Sequence, residues 1–201
     1  MWLCLYMNFP HTRHFQRYEY IVQAGHVNNR TVADLGCGTV GVGAFLLTSR
    51  AKFVFAIDEK VDPNFFFGTN DDARRDRLFV LREDLRNFET KVDVVVAVEV
   101  FEHMPDAEGF VSHISEICDF AFITTPLVET TGKTVNPAHV KEYSAGDFDR
   151  IVSRKFDIID KVYQHADLSI TKEAVPHGDS FNFGHVVQMV WARNRNGKRK
   201  H

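Results

Sequence analysis

The sequence predicts one α/β domain, built on a seven-stranded and mostly parallel sheet with helices on both faces. Three observations carry that prediction. Apolar, β-branched runs alternate with helix-like segments along the chain. The run 92–98 is almost continuously apolar, as a strand covered on both sides must be. Finally, 201 residues that are 44% hydrophobic and 25% charged, with a net charge of −3, make one ordinary domain. A chain of this length buries roughly 70% of its unfolded surface and needs no disulfide or structural metal to fold. Disorder and collagen are excluded by the same numbers.

The predicted strands are 31–35, 52–57, 78–81, 92–98, 120–124, 156–163 and 186–192. Between them, 42–47 reads as a helix, and 107–117 as another, with Phe110, Val111, Ile114 and Ile117 at helical spacing. Ser144 followed three residues later by Asp147 reads as a capped helix start, continuing through Val152 with Phe148, Ile151 and Val152 on one face. Ahead of the first strand, Phe15, Tyr18, Ile21 and Val22 form a stripe. It predicts a helix from about 12 to 24 that lies against the ligand edge of the sheet, within an N-terminal cover spanning 1–30.

No apolar run reaches the roughly 18–20 residues of a spanning helix, and the opening segment is too short and lacks the basic flank of a secretory signal. The expectation is a cytoplasmic protein with no membrane partner. Cys4, Cys37 and Cys118 are odd in number and scattered, which suits reduced structural thiols. The end, 193–201, is basic; a solvated tail is the plainer reading of it, and a local nucleic-acid contact the sharper one. The segment 165–184 reads as a long insertion before the last strand, of the kind that forms a substrate wall.

The most informative stretch is Val32-Ala-Asp34-Leu35-Gly36-Cys37-Gly38-Thr39-Val40-Gly41, which ends a strand, turns on glycines and opens a helix. Glycine is needed where backbone bends tightly and where a ligand must approach without meeting a Cβ, and the following helix start offers unpaired N–H groups. Gly36, Gly38 and Gly41 satisfy the dinucleotide fingerprint, and Asp58 stands 20 residues beyond Gly38, where a ribose-binding acid is expected. Asp34 argues against a nicotinamide enzyme. At the mouth of the turn it repels a pyrophosphate and holds a cationic amino group. A single sheet also leaves no second region for a dehydrogenase substrate.

At this point the chain resembles the class I S-adenosylmethionine-dependent methyltransferases, whose first motif reads acid-x-Gly-x-Gly after the first strand. Asp34-Leu-Gly36-Cys37-Gly38 is similar to that cofactor loop, Phe55-Ala-Ile-Asp58 to the second motif, and Arg82-Glu-Asp84-Leu85 to the third. Asp93 to His103 resembles the fourth strand and the loop facing the substrate. The resemblance implies a Rossmann-like sheet with an antiparallel last strand, and S-adenosylmethionine as cofactor. It assigns Asp34 to the donor's amino group, Gly36 and Gly38 to its methionine part, Asp58 to the ribose, and Asp84 with the Leu85 N–H to the adenine. Cys37, within the loop, and Glu99, at the fourth strand end, complete the cofactor set. One departure stands out: the third glycine is displaced from position 40, held by Val40, to Gly41, as a one-residue insertion would produce. A strand-ending Asp is often only a cap, and Asp84 alone reads equally as a turn residue. Four acids at four successive strand ends are harder to dismiss, because the carboxyl ends of parallel strands form one crevice.

On the acceptor side, Glu99, Glu102 and His103 have i, i+3, i+4 spacing; a helical turn there puts all three on one face. His139 follows the fifth strand, in a segment resembling the loop that many methyltransferases with a Glu-His pair close over the substrate. The catalytic candidates are therefore His103, His139 and Glu102. Small-RNA 2′-O-methyltransferases carry a similar Glu-x-x-Glu-His motif with a later His, and the likeness implies a divalent-metal alternative on Glu99, Glu102, His103 and His139. Two carboxylates and two imidazoles suit Mn²⁺, Co²⁺ or Zn²⁺ better than Mg²⁺. The plainer readings are a capping or hydrogen-bonding role for each histidine. The expected activity is O-methylation of a small molecule or glycan. The alternatives are metal-assisted RNA 2′-O-methylation and a non-catalytic S-adenosylmethionine-binding module. The fourth-strand loop lacks the Asn/Asp-Pro-Pro-aromatic sequence that typifies exocyclic base methylation, which argues against DNA adenine as acceptor.

Overall fold

Strand and helix alternate as the apolar pattern requires. The computed structural model describes residues 12–64, 72–132, 134, 136–173 and 186–197. Eight strands form one sheet: β1 (Thr31–Leu35), β2 (Phe53–Ile57), β3 (Leu78–Leu81), β4 (Val92–Ala97), β5 (Cys118–Pro126), β6 (Phe156–Gln164), β7 (Ile170–Thr171) and β8 (Val187–Asn194). Their spatial order is β3-β2-β1-β4-β5-β8-β6-β7. The first five are mutually parallel, β8 lies antiparallel between β5 and β6, and β7 adds an antiparallel edge. All seven predicted runs are strands. The eighth, β7, has two residues, too few for a periodicity to register, and it falls within the stretch read as a loop. Residues 174–185 of that insertion, with His177, Phe181 and Phe183, lie outside the described residues.

The helices are α1 (Thr12–Gln23), α2 (Val42–Leu47), α3 (Asp72–Arg75), α4 (Ala107–Ile117) and α5 (Ala145–Val152). Four match the predicted segments; the four-residue α3 was not expected. The Ser144 hydroxyl accepts the Asp147 N–H at 3.3 Å, which satisfies one of the open donors of α5. The Asp147 carboxylate turns to the Thr131 hydroxyl, 2.5 Å away, so the cap also ties α5 to the loop after β5.

Period-two alternation sorts the sheet into two cores. In β4, Val95 and Ala97 join Phe110, Ile114 and Phe148 from α4 and α5, while Val94 and Val96 join Tyr18, Ile21 and Leu47 from α1 and α2. In β1 the same alternation puts Val32 on the second side, and Asp34, two residues on, shares that side with α1. A carboxylate therefore sits in an apolar layer, at the carboxyl end of the central strand.

At the far end, Arg193 closes β8, and Arg193 and Arg195 both pair with Asp157. The start of the basic stretch is thus anchored, while 198–201 lie outside the described residues. Cys37 and Cys118 are buried free thiols, and Cys4 lies outside the described residues. Among the described residues, no helix is long and apolar enough to cross a membrane.

Candidate active site

Because β1 to β4 are parallel, their carboxyl ends share one rim, and the first connection is pinned there by backbone bonds. The Gly36 and Cys37 N–H groups both donate to the Ile57 carbonyl, at 2.8 and 3.1 Å. The Gly38 N–H donates to Asp58 Oδ2 at 3.0 Å, and the Lys60 N–H to Asp58 Oδ1 at 2.8 Å. The glycine turn and the second acid are therefore one structure. The displaced glycine is also accounted for: Gly41 is the residue before α2, in the left-handed conformation at φ 50°, so the turn is longer by one residue and the helix starts at Val42.

Asp34 is fully buried. Its Oδ1 accepts the Tyr18 hydroxyl at 2.9 Å, while Oδ2 has no hydrogen-bond partner. Burial lifts this carboxyl to about 7; the Tyr18 hydrogen bond pulls it down and the negative charge of Asp58 pushes it up. Tyr18 reaches it because α2 carries no side chain at Gly43, where a Cβ would lie 2.2 Å from the tyrosine ring. A buried carboxylate oxygen without a donor, beside a turn with no side chain in the way, suits the cationic amino group of an amino-acid ligand. The Cys37 thiol is pushed up by burial and by both acids, so it is no nucleophile.

Asp84 stands at the same rim, after β3, but is engaged locally. Its Oδ1 accepts the Arg86 N–H at 2.9 Å, capping the 3₁₀ turn Leu85–Asn87, and the Arg86 guanidinium binds both oxygens. Both Asp84 oxygens are therefore taken up by Arg86.

Glu99 departs from expectation. At φ 57° it occupies the left-handed region, which breaks helical register, and only Phe101–His103 winds into a 3₁₀ turn. The common face expected for Glu99, Glu102 and His103 is not formed. The Glu99 N–H donates to Thr124 Oγ1 at 2.9 Å, and its carboxylate takes the Thr124 hydroxyl at 3.2 Å and Arg17 Nη1 at 3.5 Å. Arg17 is itself buried and donates through Nε to Gln164 Oε1 at 2.6 Å. Desolvation lowers its pKa, opposed by Glu99 and then Glu102.

Glu102, His103 and His139 do come together, with candidate ligand atoms within 4.8 Å of one another, and Glu99 lies outside that group. Glu102 is fully buried, and among the described residues its carboxylate oxygens make no well-formed hydrogen bond, Thr125 and the local backbone giving only weak support. Burial, and then the charge of Glu99, push its carboxyl well above the usual range. The Glu102 carbonyl accepts the Val140 and Lys141 N–H groups at 2.9 and 3.2 Å, which docks the loop after β5 and brings His139 Nε2 to 4.0 Å from Glu102 Oε1. The two imidazoles meet edge to face at 5.0 Å. His103 Nδ1 lies 3.1 Å from the Ala138 carbonyl, so Nδ1 carries the proton and Nε2 is the acceptor. Sequence reasoning missed Arg17, Tyr18, Asn136 and Glu142 as site residues. The stripe of α1 was the available signal for Tyr18, and the loop segment singled out for His139 also holds Asn136 and Glu142; nothing local marked Arg17.

The sheet order, the glycine turn and the buried acid together place a candidate ligand crevice at the carboxyl ends of the parallel strands. Residues 33–119 match the family model described as a methyltransferase domain. No curated protein matches the chain significantly in sequence. Solved structures share the fold. The 1,6-didemethyltoxoflavin-N1-methyltransferase of Burkholderia thailandensis, with 1,6-didemethyltoxoflavin and S-adenosylhomocysteine bound, is 16% identical at a TM-score of 0.67 over 92% of this chain and 79% of that one. The magnesium protoporphyrin IX methyltransferase of Synechocystis, with bound SAH, is 17% identical at 0.64 over 90% and 84%. The N-methyltransferase NodS of Bradyrhizobium japonicum, in complex with S-adenosyl-L-homocysteine, is 14% identical at 0.64 over 94% and 90%. Residues 33–119 are thus similar to a methyltransferase domain, and the chain shares the fold of these S-adenosylmethionine-dependent methyltransferases.

Proposed function

We propose that this protein transfers the methyl group of S-adenosylmethionine to an oxygen of a small molecule or glycan. The observation that carries the reading is one rim holding both a buried acid with an unpartnered oxygen, Asp34, and an imidazole with a defined acceptor nitrogen, His103. When bound, S-adenosylmethionine supplies a methyl on a sulfonium sulfur, open to in-line displacement. Asp34 Oδ2 holds the cationic amino group, and Gly36 and Gly38 leave room for the methionine chain. Asp58 faces the ribose hydroxyls, and Asp84 with Leu85 the adenine once Arg86 turns aside. His103 Nε2 takes the proton of the acceptor hydroxyl, and Glu102 and His139 line the same side. The carboxylates around this crevice disfavour a polyanionic acceptor.

The metal-assisted RNA reading is the second, favoured by the approach of Glu102, His103 and His139. Against it, Glu99 is committed to Arg17 and Thr124, and His139 Nε2 already has the Asn136 amide at 3.1 Å. Calorimetric titration with S-adenosylhomocysteine and NAD in parallel tests the donor: binding of the first alone supports the reading, and a preference for NAD sinks it. Purified protein, incubated with labelled S-adenosylmethionine and fractionated small-molecule or RNA pools, tests the acceptor. EDTA decides between the two chemistries, because only the metal-assisted one stops on chelation and resumes with a divalent ion. Tight donor binding with no product from any pool identifies a non-catalytic module instead.

A further inference from the structure

The loop after β5 contains a closed hydrogen-bonded ring. Asn136 Oδ1 accepts the Ala138 N–H at 2.9 Å, which fixes the orientation of the side-chain amide and turns its NH₂ toward His139 Nε2, 3.1 Å away. On the other side of that imidazole, Nδ1 lies 2.5 Å from Glu142 Oε1. Glu142 is buried and also accepts the Asn136 N–H at 3.4 Å, while the His139 N–H donates to the Asn136 carbonyl at 3.0 Å. The donors and acceptors admit one assignment. An amide N–H on Nε2 requires a lone pair there, and a carboxylate on Nδ1 requires a proton there, so His139 is neutral and Nδ1-protonated. The peptide whose Ala138 carbonyl receives His103 Nδ1 at 3.1 Å is the one whose His139 N–H donates to the Asn136 main-chain carbonyl, so the backbone of Asn136 holds that acceptor in place.

We propose that Asn136 is the positioning residue of the acceptor side: its side-chain amide fixes the tautomer of His139, and its main-chain carbonyl holds the peptide whose carbonyl fixes that of His103. This inference rests on the methyl-transfer reading, because a base at His103 Nε2 is useful only while Nδ1 keeps its proton. Glu142 is the second anchor of the ring. The role is one that Glu-His motifs leave open, since it comes from a residue more than thirty positions away in the chain.

The test is ¹⁵N NMR of imidazole-labelled protein saturated with S-adenosylhomocysteine. The wild type is expected to show both His103 and His139 as single Nδ1-protonated forms. In Asn136→Asp, a carboxylate oxygen replaces the amide NH₂ opposite His139 Nε2, and His139 is expected to gain a proton at that nitrogen. In Asn136→Ala, His139 is expected to lose the single form and populate the Nε2-protonated one, while His103, held by the main chain, keeps its own. Glu142→Gln retains an acceptor for Nδ1 and is expected to keep the wild-type signature, which Glu142→Ala loses. Affinity for S-adenosylhomocysteine is expected to stay within about twofold in every variant. Should His139 remain a single Nδ1-protonated form in Asn136→Asp and Asn136→Ala, the proposal is overturned. Should the wild-type protein fail to bind S-adenosylhomocysteine at all, the donor reading fails instead, and the two failures are told apart.

Discussion

The Tyr18 hydroxyl donates to Asp34 Oδ1 at 2.9 Å, so α1 closes over the central strand through the carboxylate assigned to the donor's amino group. Arg17, the preceding residue, reaches Glu99 from the same helix. The cover and the site are joined by hydrogen bonds as well as by apolar packing, and changes in one are expected to register in the other.

The charge on Asp34 sets the first expectation. Its folded-state pKa is raised to about 7, so the stability associated with its protonated form is present in full below the ordinary carboxylate range and is lost as pH rises through about 7. Donor binding has the opposite sign, because a cationic amino group is held by the ionised acid. Affinity for S-adenosylhomocysteine is expected to rise between pH 5.5 and 7.5, by up to about tenfold per pH unit on the acid side, with proton release on binding. Calorimetry in buffers of different ionisation enthalpy measures that release, and Asp34→Asn is expected to bind weakly with the pH dependence gone.

Tyr18→Phe removes the one donor that Asp34 has among side chains. A buried acceptor stripped of its partner costs about 1–3 kcal/mol, and the variant is expected to unfold at lower urea with an unchanged slope. The pH profile of donor binding is expected to move upward, since the hydrogen bond now holding the carboxyl down is lost.

Gly36 and Gly38 separate stability from binding. Both have φ near +75°, where any side chain is strained, but a Cβ at Gly36 would lie 2.5 Å from Val100 Cγ2, and a Cβ at Gly38 meets nothing within 4 Å. Gly36→Ala is expected to lower the melting temperature by several degrees more than Gly38→Ala, and Val100→Ala to restore part of the difference. Gly38→Ala is expected to act chiefly on affinity, because its methyl points into open space beside Asp58. Equal losses of affinity in the two variants would contradict that division.

Asp58→Ala is expected to weaken S-adenosylhomocysteine at least tenfold, on the grounds of two lost ribose hydrogen bonds at about 0.5–1.5 kcal/mol or more each. Asp58 Oδ2 also accepts the Gly38 N–H, so hydrogen exchange at that amide is expected to rise in the same variant. Unchanged affinity would remove the ribose assignment.

On the acceptor side, His103→Ala is expected to lower turnover by about 100-fold or more while leaving S-adenosylhomocysteine binding intact, as loss of a general base does. Single-turnover assays with whichever acceptor pool gives product measure it.

The order of elements was legible in the chain because burial on both faces of a parallel sheet writes itself as apolar runs, and amphipathic helices write a 3.6-residue stripe. The rim was legible for a related reason: parallel strands deliver their carboxyl ends to one edge, so Asp34, Asp58 and Asp84 were bound to stand along it once the strands were assigned. Spacing alone misjudged Glu99. Its i, i+3, i+4 relation to Glu102 and His103 presumed a helix, and one left-handed residue, held by Thr124 from the next strand and Arg17 from α1, undid it. The burial of Asp34, the hydrogen-bond partners of each histidine, and the placing of Asn136 and Glu142 on either side of His139 were decided only in three dimensions. Local sequence dictates backbone preference and which face is apolar, whereas charge and tautomer depend on desolvation and on partners supplied by distant segments.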